Sequence, residues 1–158
     1  MMFFRIILVL GVSSISAWGI SPKETLIQFQ ELCAAGRAGK ATKLVAEFPN
    51  LHPLVDKLAQ ESIERIVSGL KTGKFSYTTI TEKIDHDCAV VMIKEERPGR
   101  DSEDYDPIYL VKQDNQWKIL PKPSNWKVAS EVMNNRQVFE GLASWFDEQK
   151  ASIMGKDE

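Results

Sequence analysis

Apolar and polar side chains alternate on both sides of Asp114-Asn115 in the stretch DYDPIYLVKQDNQWKILP, residues 104 to 121. This alternation predicts two strands joined by a tight turn, because Asp and Asn tolerate left-handed backbone angles. Pairing outward from the turn sets Lys112 against Trp117, Val111 against Lys118, Leu110 against Ile119 and Tyr109 against Leu120. Ile108, Leu110, Trp117 and Ile119 then share an apolar face, while Tyr109, Val111, Lys118 and Leu120 share a mixed one. Burial specifies this register, since a slip of one residue would turn the apolar set to water.

The pattern upstream is helical before it is strand-like. Ser21-Pro22-Lys23-Glu24 combines a cap, a first-turn proline and the acid of a capping box. Leu26, Phe29 and Cys33 follow on one stripe, flanked by Ile27 and Leu32, until Gly36 and Gly39. A short helical piece is expected over Ala41 to Glu47. The strongest helix runs from Asn50 to Gly73, with Leu54, Val55, Leu58, Ile63, Ile66, Val67 and Leu70 as its apolar stripe and Pro53 in its first turn. Strands are predicted over Phe75 to Ile84 and Cys88 to Glu95, with Asp85-His86-Asp87 as the turn between them. In the second of these, Cys88, Val90 and Met92 face one way and Ala89, Val91 and Ile93 the other, as expected for a strand covered on both sides. Glu96 to Asp104 is a charged hairpin loop. After Pro121 and Pro123 break the sheet, a last helix is predicted over Gln137 to Ala151. Its apolar side carries Val138, Leu142, Trp145 and Phe146, either to cover the second face of the sheet, the preferred reading, or to self-associate.

Composition narrows the class. The 158 residues are 43% hydrophobic and 27% charged, with a net charge of −2. That is ordinary for a single folded domain and offers no basic excess to attract a phosphate backbone, so nucleic-acid binding is not expected. Arg5 precedes the apolar run IILVLGV and then Ala17-Trp18-Gly19, a pattern that predicts a signal peptide over residues 1–19, cleaved after Gly19. The run is short for a membrane span, so the expectation is an exported protein, periplasmic or secreted. Export would bring Cys33 and Cys88 to an oxidising compartment. The expectation is a bridge between them, closing a loop of roughly 55 residues and contributing about 3–4 kcal/mol in the chain-entropy model. Two separately buried thiols are the alternative.

Helices followed by consecutive antiparallel strands predict an α+β domain: N-terminal helices packed on a curved antiparallel sheet of about four strands, with an additional C-terminal helix. The domain would span residues 20–123 and the helical extension 124–158. At three stretches the chain resembles the nuclear transport factor 2-like superfamily, in its SnoaL-like and ketosteroid-isomerase-like small exported bacterial branch. These are the first helix running into Ala34-Ala35-Gly36-Arg37-Ala38-Gly39-Lys40, the strand start Asp87-Cys88-Ala89-Val90-Val91, and the hairpin from Tyr109 to Ile119. The resemblance implies a cone whose pocket lies between the helices and the concave sheet. Its relatives use that pocket for isomerase or cyclase chemistry, for ligand binding, or simply fill it; fold alone does not choose.

Catalytic chemistry finds little support in the residues. An isomerase-like site needs a carboxylate base facing a tyrosine or protonated acid. Tyr77 and Tyr109 could donate, but Asp85, Asp87 and Asp106 all fall in turns or at strand ends. Asp85-His86-Asp87-Cys88 offers metal-ligand types in sequence, yet strand alternation would send His86 and Cys88 to one side and the aspartates to the other. The remaining histidine, His52, stands at a helix start, so no metal and no cofactor is expected. Gly36 to Thr42 (GRAGKAT) lacks the first glycine and the Ser or Thr of a phosphate loop. No nucleophile elbow is present. Phe29, Tyr77, Tyr109, Trp117 and Trp126 are the candidate lining of a ligand cavity, with core packing as the simpler role. The sequence therefore favours a non-enzymatic exported domain that binds a small ligand or a partner protein through its pocket or sheet face. The alternatives are an isomerase- or cyclase-like enzyme on an apolar molecule and a homodimeric structural module.

Overall fold

Ser21 starts α1 (Pro22–Ala34) by the predicted capping box: its hydroxyl accepts from the Glu24 amide at 3.2 Å, and the Glu24 carboxylate accepts from the Ser21 amide at 2.7 Å. At the other end Gly36 (φ 70°) closes the helix by donating to Cys33 while Arg37 donates to Leu32, which satisfies carbonyls that would otherwise lack partners. In the computed structural model, residues 19–48, 53–100, 105–120, 127, 130–131 and 133–155 are described, the side chains of 53–59 excepted. Residues 1–18, His52, Pro121, Pro123 and Trp126 lie outside them.

A short α2 (Ala38–Ala41) runs into a 3-10 turn, Thr42–Leu44, and so holds the GRAGKAT stretch in a connection between helices. The long α3 (Pro53–Lys71) ends as α1 does, with Gly73 at φ 67° donating to Leu70 and Lys74 donating to Gly69. Four strands follow: β1 (Ser76–Asp85), β2 (Cys88–Glu96), β3 (Tyr105–Gln113) and β4 (Gln116–Ile119). They pair in chain order as one antiparallel sheet. The last hairpin has the expected register, Leu110 opposite Ile119 and Lys112 opposite Trp117, and Leu120 donates to the Tyr109 carbonyl at 2.8 Å. Asp114 and Asn115 take φ of 50° and 60° in its turn. Helix α4 (Arg136–Met154) ends the described chain. The fold is α+β, with helices at both ends of a four-stranded sheet.

That sheet is covered twice. On the first face Ala89, Val91, Ile93, Leu110, Trp117 and Ile119 pack under Leu26, Phe29 and Cys33 of α1 and Leu70 of α3. On the second face Cys88, Val90, Met92, Tyr109 and Val111 pack under Phe139, Leu142 and Phe146 of α4. Strand β2, buried from Cys88 to Ile93, lies at the centre of both cores. Phe139, fully buried, is the hub of the second core, whereas Val138 and Trp145 sit at its margin, partly buried. At one roughly 1.5–3 kcal/mol per large buried side chain, neither layer is dispensable.

The two cysteines correct the expected bridge. Cys33 lies in the first core and Cys88 in the second, so the sheet stands between their side chains, and both thiols are free. A disulfide requires Cα atoms within about 7 Å and converging side chains, a condition that opposite faces of a sheet do not offer. The alternative of two separately buried thiols holds.

Candidate functional site

Among the described residues, the space expected between helices and sheet is almost completely filled. Beneath α1 and α3, Leu26, Phe29, Ile63, Ile66, Tyr77, Ile108 and Ile119 leave a residual void of about 20 Å³. That is room for about one water and far too little for a ligand. Phe29 is 3% exposed and Trp117 8% exposed, and both belong to this packing. Lys112 covers the outer side of Trp117, its Nζ 5.4 Å from the ring centroid.

A polar groove of about 700 Å³ lies beside β4, lined by Lys43, Glu47, Gln113 and Lys118, and a more apolar one lies at one end of that core. A groove of about 570 Å³ runs between the last turn of α1 (Gln30, Glu31, Ala34), the end of α3 (Leu70, Gly73), the start of β1 (Phe75, Ser76) and the β2–β3 connection (Glu96, Arg97, Pro98). Each wall has a local cause. The glycine-terminated ends of α1 and α3 stop both helices short of the β2–β3 connection. Gly69 allows the Phe75 ring to lie directly on α3, since a Cβ there would sit 2.1 Å from the ring. The Gln30 side-chain amide donates to the Tyr77 carbonyl at 2.9 Å, and its oxygen accepts from the Tyr77 amide. A glutamine thus imitates a neighbouring strand and fixes α1 against the edge of β1. Arg97 donates to Glu95 at 2.5 Å and remains half exposed at the rim. The result is an apolar floor of Ala34, Leu70, Phe75 and Pro98 beneath a mixed-charge rim.

Tyr77 lies where the filled core meets this groove. Its ring packs on Phe75 with centroids 5.4 Å apart. Burial first, and then the charges of Glu95 and Asp106, push its hydroxyl well above the ordinary tyrosine range, so it stays protonated at any physiological pH. The structure therefore brings Phe29, Tyr77 and Trp117 to one side of the sheet and places Asp106 near Tyr77. It sends Tyr109 to the opposite face, where its ring meets Phe139 edge-on at 6.1 Å. Asp85 and Asp87 flank the β1–β2 turn. No two of the named tyrosines can therefore face one carboxylate, and the interior beside Tyr77 has no room for a substrate.

His86 departs from the expected alternation. At φ 53° it leaves the strand conformation and turns to solvent, its Nδ1 2.6 Å from Asp85 Oδ1, while Cys88 is buried. Among the described residues no three His, Cys, Asp or Glu side chains converge as metal ligands. Of the groove-lining residues, Gln30, Ala34 and Arg97 were not singled out by sequence reasoning. Their one available mark was the Pro98-Gly99 turn, realised with Gly99 at φ 74°.

No family model matches the chain, and no curated protein matches it. Among solved structures it is similar to a protein from Campylobacter jejuni described as an NTF2-like transpeptidase. The similarity spans 65% of this chain and all of that one, at 15% identity and a TM-score of 0.49.

Proposed function

We propose that this chain is an exported, non-enzymatic binding domain of nuclear transport factor 2-like type, whose ligand sits in the groove at the end of the helix-covered face. The observation that carries this reading is the contrast between the filled interior and an end groove with an apolar floor of Ala34, Leu70, Phe75 and Pro98. The interior void is about 20 Å³, whereas the end groove, at about 570 Å³, falls within the roughly 300–1,000 Å³ of small-molecule sites. The apolar floor suits the flat body of a small aromatic or aliphatic molecule. Gln30, Glu31, Glu96 and Arg97 at the rim suit its polar substituents. The apolar run of residues 6–12 behind Arg5 supports export.

An amide chemical-shift titration with a panel of neutral and charged aromatic fragments tests the proposal. Shifts centred on Ala34, Phe75 and Arg97 are expected, and they should vanish in Ala34→Trp, which fills the groove from an exposed position without touching the core. A panel that leaves those amides unmoved, or moves a different cluster, would overturn the assignment.

A further inference from the structure

The two edges of the sheet are treated differently. The β4 edge is closed by main chain: Val45 pairs in parallel with Ile119, the Ala46 amide donates to the Ile119 carbonyl at 2.9 Å, and Glu47 and Gln113 exchange two further hydrogen bonds. The β1 edge is closed at Tyr77, by Gln30, and left open beyond the bulge between Thr79 and Thr81. From Thr81 to Asp85 its pairing with β2 is regular. Alternate residues of an antiparallel strand direct their backbone groups away from the partner. With Asp85 and Cys88 closing the hairpin, those residues are Glu82 and Ile84.

Exposed apolar side chains gather along the same edge. Of the five large ones exposed among the described residues, four are Ile20, Ile27, Ile80 and Ile84. Glu82 holds the start of α1 by accepting from the Lys23 amide at 2.7 Å, and Gln30 holds its later turn. Ile27 lies between these two anchors and Ile20 just before the first.

We propose that the β1 edge is a self-association surface on which a second copy of this chain adds its own β1, antiparallel, about a two-fold axis through Ile84. Self-complementarity identifies the occupant. With Ile84 opposite Ile84 of the second copy, Lys83 stands opposite the second copy's Asp85, and Asp85 opposite its Lys83, both on the side of the sheet facing away from α1. A lysine that guards an open edge against other strands is thus matched by an acid in this register alone. Registers shifted by two residues oppose Lys83 to Lys83 or Asp85 to Asp85. The strand overlap is short, three residues from Lys83 to Asp85 and roughly 10 Å, so most of the stabilisation falls to the isoleucines and the dimer is a weak, concentration-dependent one. This surface is separate from the ligand groove and does not depend on it.

Sedimentation equilibrium on the chain without its first 19 residues, up to on the order of 100 µM, a range suited to weak interfaces, reads the outcome. The wild type should show a monomer–dimer equilibrium. Lys83→Glu, an exposed position, should weaken it roughly tenfold or more, because two attractive pairs become repulsive. The double variant Lys83→Glu, Asp85→Lys should restore it, and Ile84→Asp should abolish it with thermal unfolding unchanged. A wild type that stays monomeric overturns the proposal. So does a dimer indifferent to Lys83→Glu and Ile84→Asp, or a folded double variant that fails to recover.

Discussion

Two thiols with the same chemistry sit in different cores, and burial decides their behaviour. Cys33 is pushed up to about 11 by desolvation alone. Cys88 is also pushed up to about 11, first by burial and then by the charges of Asp87 and Asp85, against a hydrogen bond from Asn135 that pulls the other way. Protonated, shielded thiols react slowly, so a thiol reagent should modify both cysteines only after unfolding and should count two in the unreduced chain. The sign of the pH dependence follows. Unfolded thiols ionise near pH 9, whereas the folded ones hold their protons until about 11. Between these values the native state binds more protons, and stability falls as pH rises. Urea midpoints should be level from pH 7 to 8 and decline from about pH 9 to 11, the decline becoming shallower in Cys33→Ala. Tyr109, pushed up to about 12 by burial and then by Asp147, extends the decline at its upper end. What sequence could not supply was the side of the sheet each cysteine occupies. An even count in a chain expected to be exported suggests pairing, but alternation along β2 had already turned Cys88 away from Val91, and α1 lies over Val91.

At the scale of elements, the parts that were legible are those whose partners are near in sequence. The capping box of α1 joins residues three apart, and the last hairpin is closed by a two-residue turn whose Asp114 and Asn115 accept positive φ. Their geometry is local, so composition and alternation suffice. The join between α3 and β1 was not legible in the same way. By propensity alone a glycine inside a helix is a small cost, yet at Gly69 the Phe75 ring occupies the position of the missing side chain. Gly69→Ala should therefore destabilise the protein although alanine is the better helix former. A loss of about 1–3 kcal/mol is expected from forced overpacking, against a gain of about 1 kcal/mol in propensity. Denaturant unfolding measures the balance, and ligand shifts at Phe75 should weaken in parallel because the ring forms the groove floor. Gln30 was opaque for a related reason. Its contact with Tyr77 spans 47 residues, and nothing local distinguishes a glutamine that imitates a strand from one in water.

At the scale of the whole molecule, the sheet is a middle layer, and its two covers explain why the interior among the described residues holds no ligand space. The apolar residues on both faces of β2 already required cover on both sides, and the amphipathic tail was the available second cover. The degree of filling was not readable, because it depends on how Ile63, Ile66 and Phe29 mesh across elements. Exchange of backbone amides for deuterium in the full chain tests this three-layer arrangement most directly. The account predicts that Val90, Val91 and Met92 exchange slowest of all, opening only with global unfolding, and that amides near Leu142 share most of that protection. Rapid exchange along β2, at rates like those of the exposed turn at Gly73, would contradict it.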